Sequence, residues 1–239
     1  MGTAVSFQVI AGECSQAEVH EAVGRAVRGL HRADALFSTW KPESEVSRLR
    51  DGLLGEGELS PEVLEVIDLC WEARRLSDGW FDPWAMPGGF DPTGAVKGWA
   101  VERALDELRA SGVAGAFVNG GGDVALFGEA PGGRPWKVGI QHPWRRDALA
   151  CVLQVERAVA TSGGYERGDH LVDPRRQGPP VAASATVTGT DLAMADALAT
   201  ALAVGGEPVF RRVAEIEGFA AYWIRADGTE FSTDGIVFA

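Results

Sequence analysis

The run LAMADALATALAV at 192–204 most constrains how this chain can fold. It is apolar on every face of a helix except at Asp196 and Thr200, and a helix without a polar face has to be buried. Polar groups inside such a helix are costly unless a partner satisfies them. Asp196 and Thr200 are spaced i, i+4, so they share a face, about 6 Å apart along the axis. A carboxylate and a hydroxyl so placed suit a hard cation such as Mg²⁺, which takes few protein ligands and fills its remaining positions with water and phosphate. The alternative is a buried carboxylate bonded to a neighbouring strand, with Thr200 bonded to its own helix carbonyl.

Around this helix the pattern is mixed. Residues 3–11 alternate like a strand. Apolar residues recur at helical spacing over 15–36, with Ser15 at the N-cap, and Ser44 is placed to cap a short helix. Ser60-Pro61 opens a helix that Asp78-Gly79 stops near Ser77. Residues 82–98 read as loop, followed by a helix over about 97–110 that ends at Ser111-Gly112. The period then changes to short runs between glycine turns, at 116–119, 123–127, 136–141, 151–156, 158–161, 170–172 and 181–188. Thr190 or Asp191 caps the buried helix, Pro208 opens another, and 219–224 with 229–232 form a hairpin around Asp227-Gly228. Helices first, then a mostly antiparallel sheet, then helices again argue for an α+β fold in a single domain over 1–239, not an alternating parallel one.

Composition narrows the function. Acidic residues outnumber basic ones 34 to 22, for a net charge of −12, which argues against a nucleic-acid or anionic-membrane surface. No apolar run reaches about 18 residues free of charge, so no membrane insertion is expected. The opening MGTAVSFQVI lacks the basic flank and apolar block of a signal peptide. Cys14, Cys70 and Cys151 follow no metal-ligand spacing and read as reduced, mostly buried thiols. A cytoplasmic location is the expectation, with an exported form whose leader has been removed left open. Glycine accounts for 31 of 239 residues, against about 7% on average, and its clusters at 120–122, 132–133 and 163–164 look like tight backbone at a ligand.

Several further residues are candidates. His170, in GDHLVDPRRQGPP, could bond a phosphate or pass a proton near neutral pH, or it could simply tie down the Asp173-Pro174 turn. Lys97 is one of only three lysines and is placed where a loop becomes a helix, a position that favours anions; an ordinary surface lysine is the alternative. The run from Asn119 to Asp123, with Gly121 and Gly122, lies between two strands, so it is not a dinucleotide fingerprint, which needs a following helix. Thr161, Ser162 and Gly163 could offer hydroxyl and N–H donors to a ligand, or form a plain turn. Trp40 could stack on a flat ring, or sit in the core.

Taken in order, FSTWKPESEVSRL (37–49), DPTGAVKGWAVERAL (91–105), VNGGGDVALFG (118–128), WKVGIQHP (136–143), AVATSGGYER (158–167), HLVDPRRQGPP (170–180) and ADALATALAVGG (195–206), after an opening Met-Gly-Thr, resemble the FAD:protein FMN transferase (ApbE) family over nearly the whole chain. The resemblance implies a T-fold-related α+β domain, mostly antiparallel sheet with helices packed around a flavin cleft. It implies Mg²⁺-dependent transfer of the FMN half of FAD to a threonine hydroxyl of a target protein, with release of AMP. Asp196 and Thr200 would be the metal side chains, completed by a backbone carbonyl of Val96 or Ala95. His170 would lie at the pyrophosphate, and His170 or Asp196 would take the threonine proton. Ser38, Trp40, Lys97, Asn119, Gly121, Gly122, Asp123, Thr161, Ser162 and Gly163 would line the FAD cleft. Here the Phe81-Asp82-Pro83 segment is followed almost at once by Asp91-Pro92 and Lys97, so a subregion over the cleft is shortened. The same residues also suit an FAD pyrophosphatase giving FMN and AMP, or a flavin-delivery protein without turnover.

Overall fold

The computed structural model describes residues 2–163, 173–175 and 181–239, with Glu56 described by its backbone alone. Strand β1 (Val5–Ile10) is followed by helices α1 (Gln16–Phe37), α2 (Glu45–Arg50), α3 (Pro61–Leu76) and α4 (Thr93–Ala110). Strands β2 (Gly115–Gly120), β3 (Asp123–Phe127), β4 (Trp136–His142), β5 (Arg145–Val155), β6 (Ala158–Ser162) and β7 (Ala182–Gly189) come next. Helices α5 (Leu192–Gly205) and α6 (Glu207–Ala214) and the hairpin β8 (Ala220–Arg225) and β9 (Glu230–Ser232) close the chain.

Local chemistry sets most of these boundaries. The Ser15 hydroxyl accepts from the Glu18 N–H while Glu18 reaches back to the Ser15 N–H, a reciprocal cap at the start of α1. Ser44 caps α2 by accepting from the Ser47 N–H at 3.0 Å, and Asp191 caps α5 by accepting from Met194 N–H at 2.7 Å. Ser60 precedes α3 in extended backbone without a side-chain cap, and Pro61 at the first helical position starts that helix. Beyond its end, Asp78 and Gly79 take φ of 53° and 73°, which stops the helix.

The strands pair antiparallel in the order β1-β2-β3-β6-β7-β8-β9, and β4 and β5 form a separate two-stranded ribbon. The alternation of side chains along each strand feeds two cores. Ala125, Ala158, Ala160, Ala221 and Trp223 join the larger core under the helices, while Val124, Leu126, Val159, Tyr222 and Ile224 join a second core beneath the ribbon. The sheet is therefore covered on both faces, by helices on one and by β4–β5 on the other. Helix α5 lies in the larger core, buried along almost its full length.

Two expectations need correction. Helix α4 begins at Thr93, where Asp91 Oδ1 accepts the Thr93 N–H at 3.0 Å and Pro92 sets the helical entry. Lys97 thus stands in the second turn and not at a loop-to-helix junction. Of the cysteines, all free, only Cys70 is buried, and burial pushes its thiol well up; Cys14 and Cys151 are half-buried. The expected strand at 170–172 lies outside the described residues.

Candidate active site

The site forms where α4 and α5 touch. Gly94 and Gly98 are one turn apart on α4, and Asp196 and Thr200 are one turn apart on α5. A Cβ on Gly98 would stand 2.5 Å from the Leu192 carbonyl oxygen and 2.9 Å from Asp196 Cβ. One on Gly94 would stand 3.1 Å from the Phe81 ring and 3.4 Å from Thr200 Oγ1. The two glycines let the helix backbones approach closely, each opposite one of the polar residues of α5. The Gly98 N–H donates to Asp196 Oδ2 at 2.9 Å. Ala95 and Val96 are buried in the same first turns of α4.

Three strands bring the other groups. The β2–β3 turn is tight: Asn119 Oδ1 accepts from the Gly122 N–H at 2.8 Å, and Gly121 and Gly122 have φ of 64° and 104°. These are left-handed conformations that glycine adopts without strain. The turn delivers Asp123 at the first position of β3 with its side chain fully buried. Asp123 Oδ1 accepts from the Thr161 N–H at 3.1 Å, and Oδ2 pairs with Lys97 Nζ at 2.8 Å. Thr161 and Thr186 share a hydroxyl hydrogen bond at 2.9 Å, and Ser162 Oγ lies 3.4 Å from Thr200 Oγ1. Gly163 follows, also buried.

Asp196 lies close enough to Asp123 for the two carboxyl groups to act on one another. Burial first, then the charge of Asp123, hold the Asp196 carboxyl well above the usual carboxylate range, against the pull of Lys97 and the Gly98 N–H. Two carboxyl groups thus face one ammonium in a buried place. Among the described residues no three carboxylate, thiol or imidazole groups gather as a metal cluster. The donors gathered are instead carboxylate and hydroxyl oxygens, which a hard cation takes together with water and phosphate. Asp196, which an arriving cation would hold ionised, and the Ser162–Thr200 hydroxyl pair beside it fit such an ion.

The structure thus gathers Lys97, Asp123, Thr161, Ser162, Asp196 and Thr200. Lys97, expected to meet an anion from a helix start, is the counter-ion of Asp123. Ser38 and Trp40 belong to a different turn: the Ser38 carbonyl accepts from the hydroxyls of Ser44 and Ser47, at 2.5 and 3.0 Å, and Trp40 is 93% exposed, not a core residue. Phe37 packs edge-on against Trp99, which brings this turn beside α4. His170 lies outside the described residues. The Asp173-Pro174 turn that follows it is formed, with Asp173 Oδ1 accepting from the Arg175 N–H at 2.8 Å. Sequence reading missed Gly94 and Gly98. The signal was present: a small-x-x-x-small step on one helix matches the Asp-x-x-x-Thr step on another.

Fold and site together define an α+β protein in which a close helix pair buries an acid cluster beside serine and threonine hydroxyls. The profile of the ApbE family matches residues 1–88 and 87–223, and the chain belongs to that family. An FAD:protein FMN transferase from Rhodobacter capsulatus is 37% identical over 149 residues, 58% of this chain and 28% of that protein. One from Vibrio cholerae is 34% identical over 133 residues, 50% of this chain and 40% of that protein. The matches therefore span less than half of either relative. One from Chlamydia pneumoniae is 23% identical over 262 residues, 83% of this chain and 81% of that protein. The fold matches the flavin transferase ApbE from Vibrio cholerae with a TM-score of 0.82 at 21% identity, and the ApbE protein from Thermotoga maritima with 0.85 at 24%. Each comparison covers 98% of this chain and 94% of the other.

Proposed function

We propose that this chain, as a single domain over 1–239, transfers the FMN part of FAD to a threonine hydroxyl of a target protein and releases AMP. The observation that carries the reading is the buried Asp196, held by the Gly98 N–H, beside the Asp123–Lys97 ion pair and the Ser162–Thr200 hydroxyls in an ApbE fold. FAD as donor and a protein as acceptor follow from what the relatives are named for.

In the reaction a bond forms between the threonine oxygen and the FMN phosphorus. The bond from that phosphorus to the oxygen bridging to AMP breaks, and the threonine proton passes to a base. Asp196, Thr200 and a carbonyl of Ala95 or Val96 would hold Mg²⁺. When bound, the ion would neutralise the pyrophosphate and stabilise the departing phosphate. Lys97 holds Asp123 in place through their ion pair. Thr161, Ser162 and Gly163 would line the cleft, with Ser162 and Gly163 offering hydroxyl and N–H donors to a phosphate or ribose. His170 fits the role of the base or of a partner to the pyrophosphate, with Asp196 the other candidate for the proton. Ser38, Trp40, Asn119, Gly121 and Gly122 shape the remaining walls. No helix among the described residues is long and apolar enough to cross a membrane. The free thiols are in keeping with work in the cytoplasm.

The test incubates the protein with FAD, Mg²⁺ and an acceptor domain bearing a threonine, and follows AMP release and the intact mass of both proteins. Transfer adds one FMN to the acceptor. AMP release without a gain in acceptor mass identifies an FAD pyrophosphatase, and no AMP at all identifies a carrier. Folded Asp196→Asn should lose AMP release by about a hundredfold or more, the scale for removing a group that stabilises transition-state charge. Unchanged release would overturn the assignment of Asp196.

A further inference from the structure

Asp123 is fully buried, and three elements converge on its carboxyl group. One oxygen takes the Thr161 N–H of β6, the other takes the Lys97 ammonium of α4, and its charge is felt by Asp196 of α5. The neighbours on α4 divide the work: Lys97 binds Asp123, and Gly98, the next residue, binds Asp196. Lys97 is also largely covered, its side chain 13% exposed. A lysine held this way cannot swing out to solvent without leaving a buried carboxylate uncompensated.

We propose that Asp123 is a positioning residue for the metal site. It holds the Lys97 ammonium on its own carboxyl and not on that of Asp196, so that Asp196, ionised once a cation arrives, keeps its charge for the ion at Asp196 and Thr200. The inference rests on the metal reading above. Asp123 itself need not touch the ion or the flavin nucleotide. Its role is to keep an ammonium inside the site without cancelling the charge of the ligand carboxylate. With all three groups ionised, as a bound cation would hold Asp196, the formal charge of Asp123, Asp196 and Lys97 is −1 in the native chain, 0 in Asp123→Asn, and −1 again in Asp123→Asn combined with Lys97→Met.

The test is calorimetric titration of MgCl₂ into flavin-free protein, with melting curves to establish folding. Asparagine keeps the acceptor for Thr161. Asp123→Asn should weaken Mg²⁺ binding at least about tenfold, because one charge close to an ion in a poorly screened place outweighs that factor. The double variant should recover most of the loss, and Lys97→Met alone should bind at least as tightly as the native chain. Native affinity in Asp123→Asn, or no recovery in the double variant, overturns the proposal. Should Asp123→Asn fail to fold, Lys97→Met still decides, since weaker binding there contradicts the charge argument. Asp196→Asn separates the two readings. If it loses Mg²⁺ while Asp123→Asn keeps it, only the positioning role falls. If it binds as the native chain does, the metal site itself is misplaced.

Discussion

At Gly98 the absence of one methyl group decides how closely α5 lies against α4. A Cβ there would stand 2.5 Å from the backbone oxygen of Leu192, an atom with no freedom to move aside. At Gly94 the nearest atoms are a phenylalanine ring edge at 3.1 Å and Thr200 at 3.4 Å, both on side chains. Gly98→Ala should therefore cost about 1–3 kcal/mol, the usual range for overpacking a filled interior. Gly94→Ala should cost less. Gly98→Ala should also lower Mg²⁺-dependent turnover per folded molecule, because Asp196 moves with α5. Urea denaturation of both variants checks this, and equal stabilities would mean that the helices do not meet as closely as described.

At the scale of the element, α5 is held at its start by acids. Asp191 caps it, and Glu102 of α4 accepts the Leu192 N–H at 3.0 Å, as suits the positive end of a helix dipole. Burial nevertheless lifts the Glu102 carboxyl above its ordinary value of 4.5, with the nearby Asp191 and Asp106 adding to the rise and the Leu192 N–H opposing it. A carboxyl whose folded value is raised binds more protons in the native state than in the unfolded one. Its stabilising contribution is complete below the unfolded value and is lost as pH climbs through the folded one. Glu102→Gln keeps an acceptor for Leu192 and removes the charge. Measured against this variant, the native chain should lose stability as pH rises from about 4.5 toward neutrality. Melting temperatures of the two proteins across that range provide the check; a difference that stays constant with pH would show that Glu102 is not desolvated.

The whole molecule carries a net charge of −12, and FAD is an anion. Under the proposed function, long-range electrostatics would oppose FAD binding, and local cationic charge at the pyrophosphate would have to overcome them. FAD should bind clearly better than FMN, and riboflavin should bind weakly. The preference should depend on Mg²⁺, whereas riboflavin binding should not. Calorimetry with FAD, FMN, riboflavin and ADP, with and without Mg²⁺, tests this. Riboflavin binding as tightly as FAD, with no effect of Mg²⁺, would favour a flavin carrier.

Much of the fold was legible because its signals are local. The caps at Ser15, Ser44 and Asp191, the stops at Asp78-Gly79 and Ser111-Gly112, and the hairpin at Asp227-Gly228 are each set by neighbours within a few residues. The start of α4 at Thr93 was missed because a stretch crowded with proline and glycine reads as loop, while Asp91 and Pro92 begin a helix within it. In the site, the shared face of Asp196 and Thr200 follows from helical period alone, and the burial of their helix from its uniform apolarity. What lies opposite them does not. The ion pair of Lys97 with Asp123, the hydrogen bond of Gly98 to Asp196, and the two glycines beneath Asp196 and Thr200 join segments far apart in the chain. Periodicity within a segment determines which face a side chain occupies. Only the packing of one element on another decides which charge it meets.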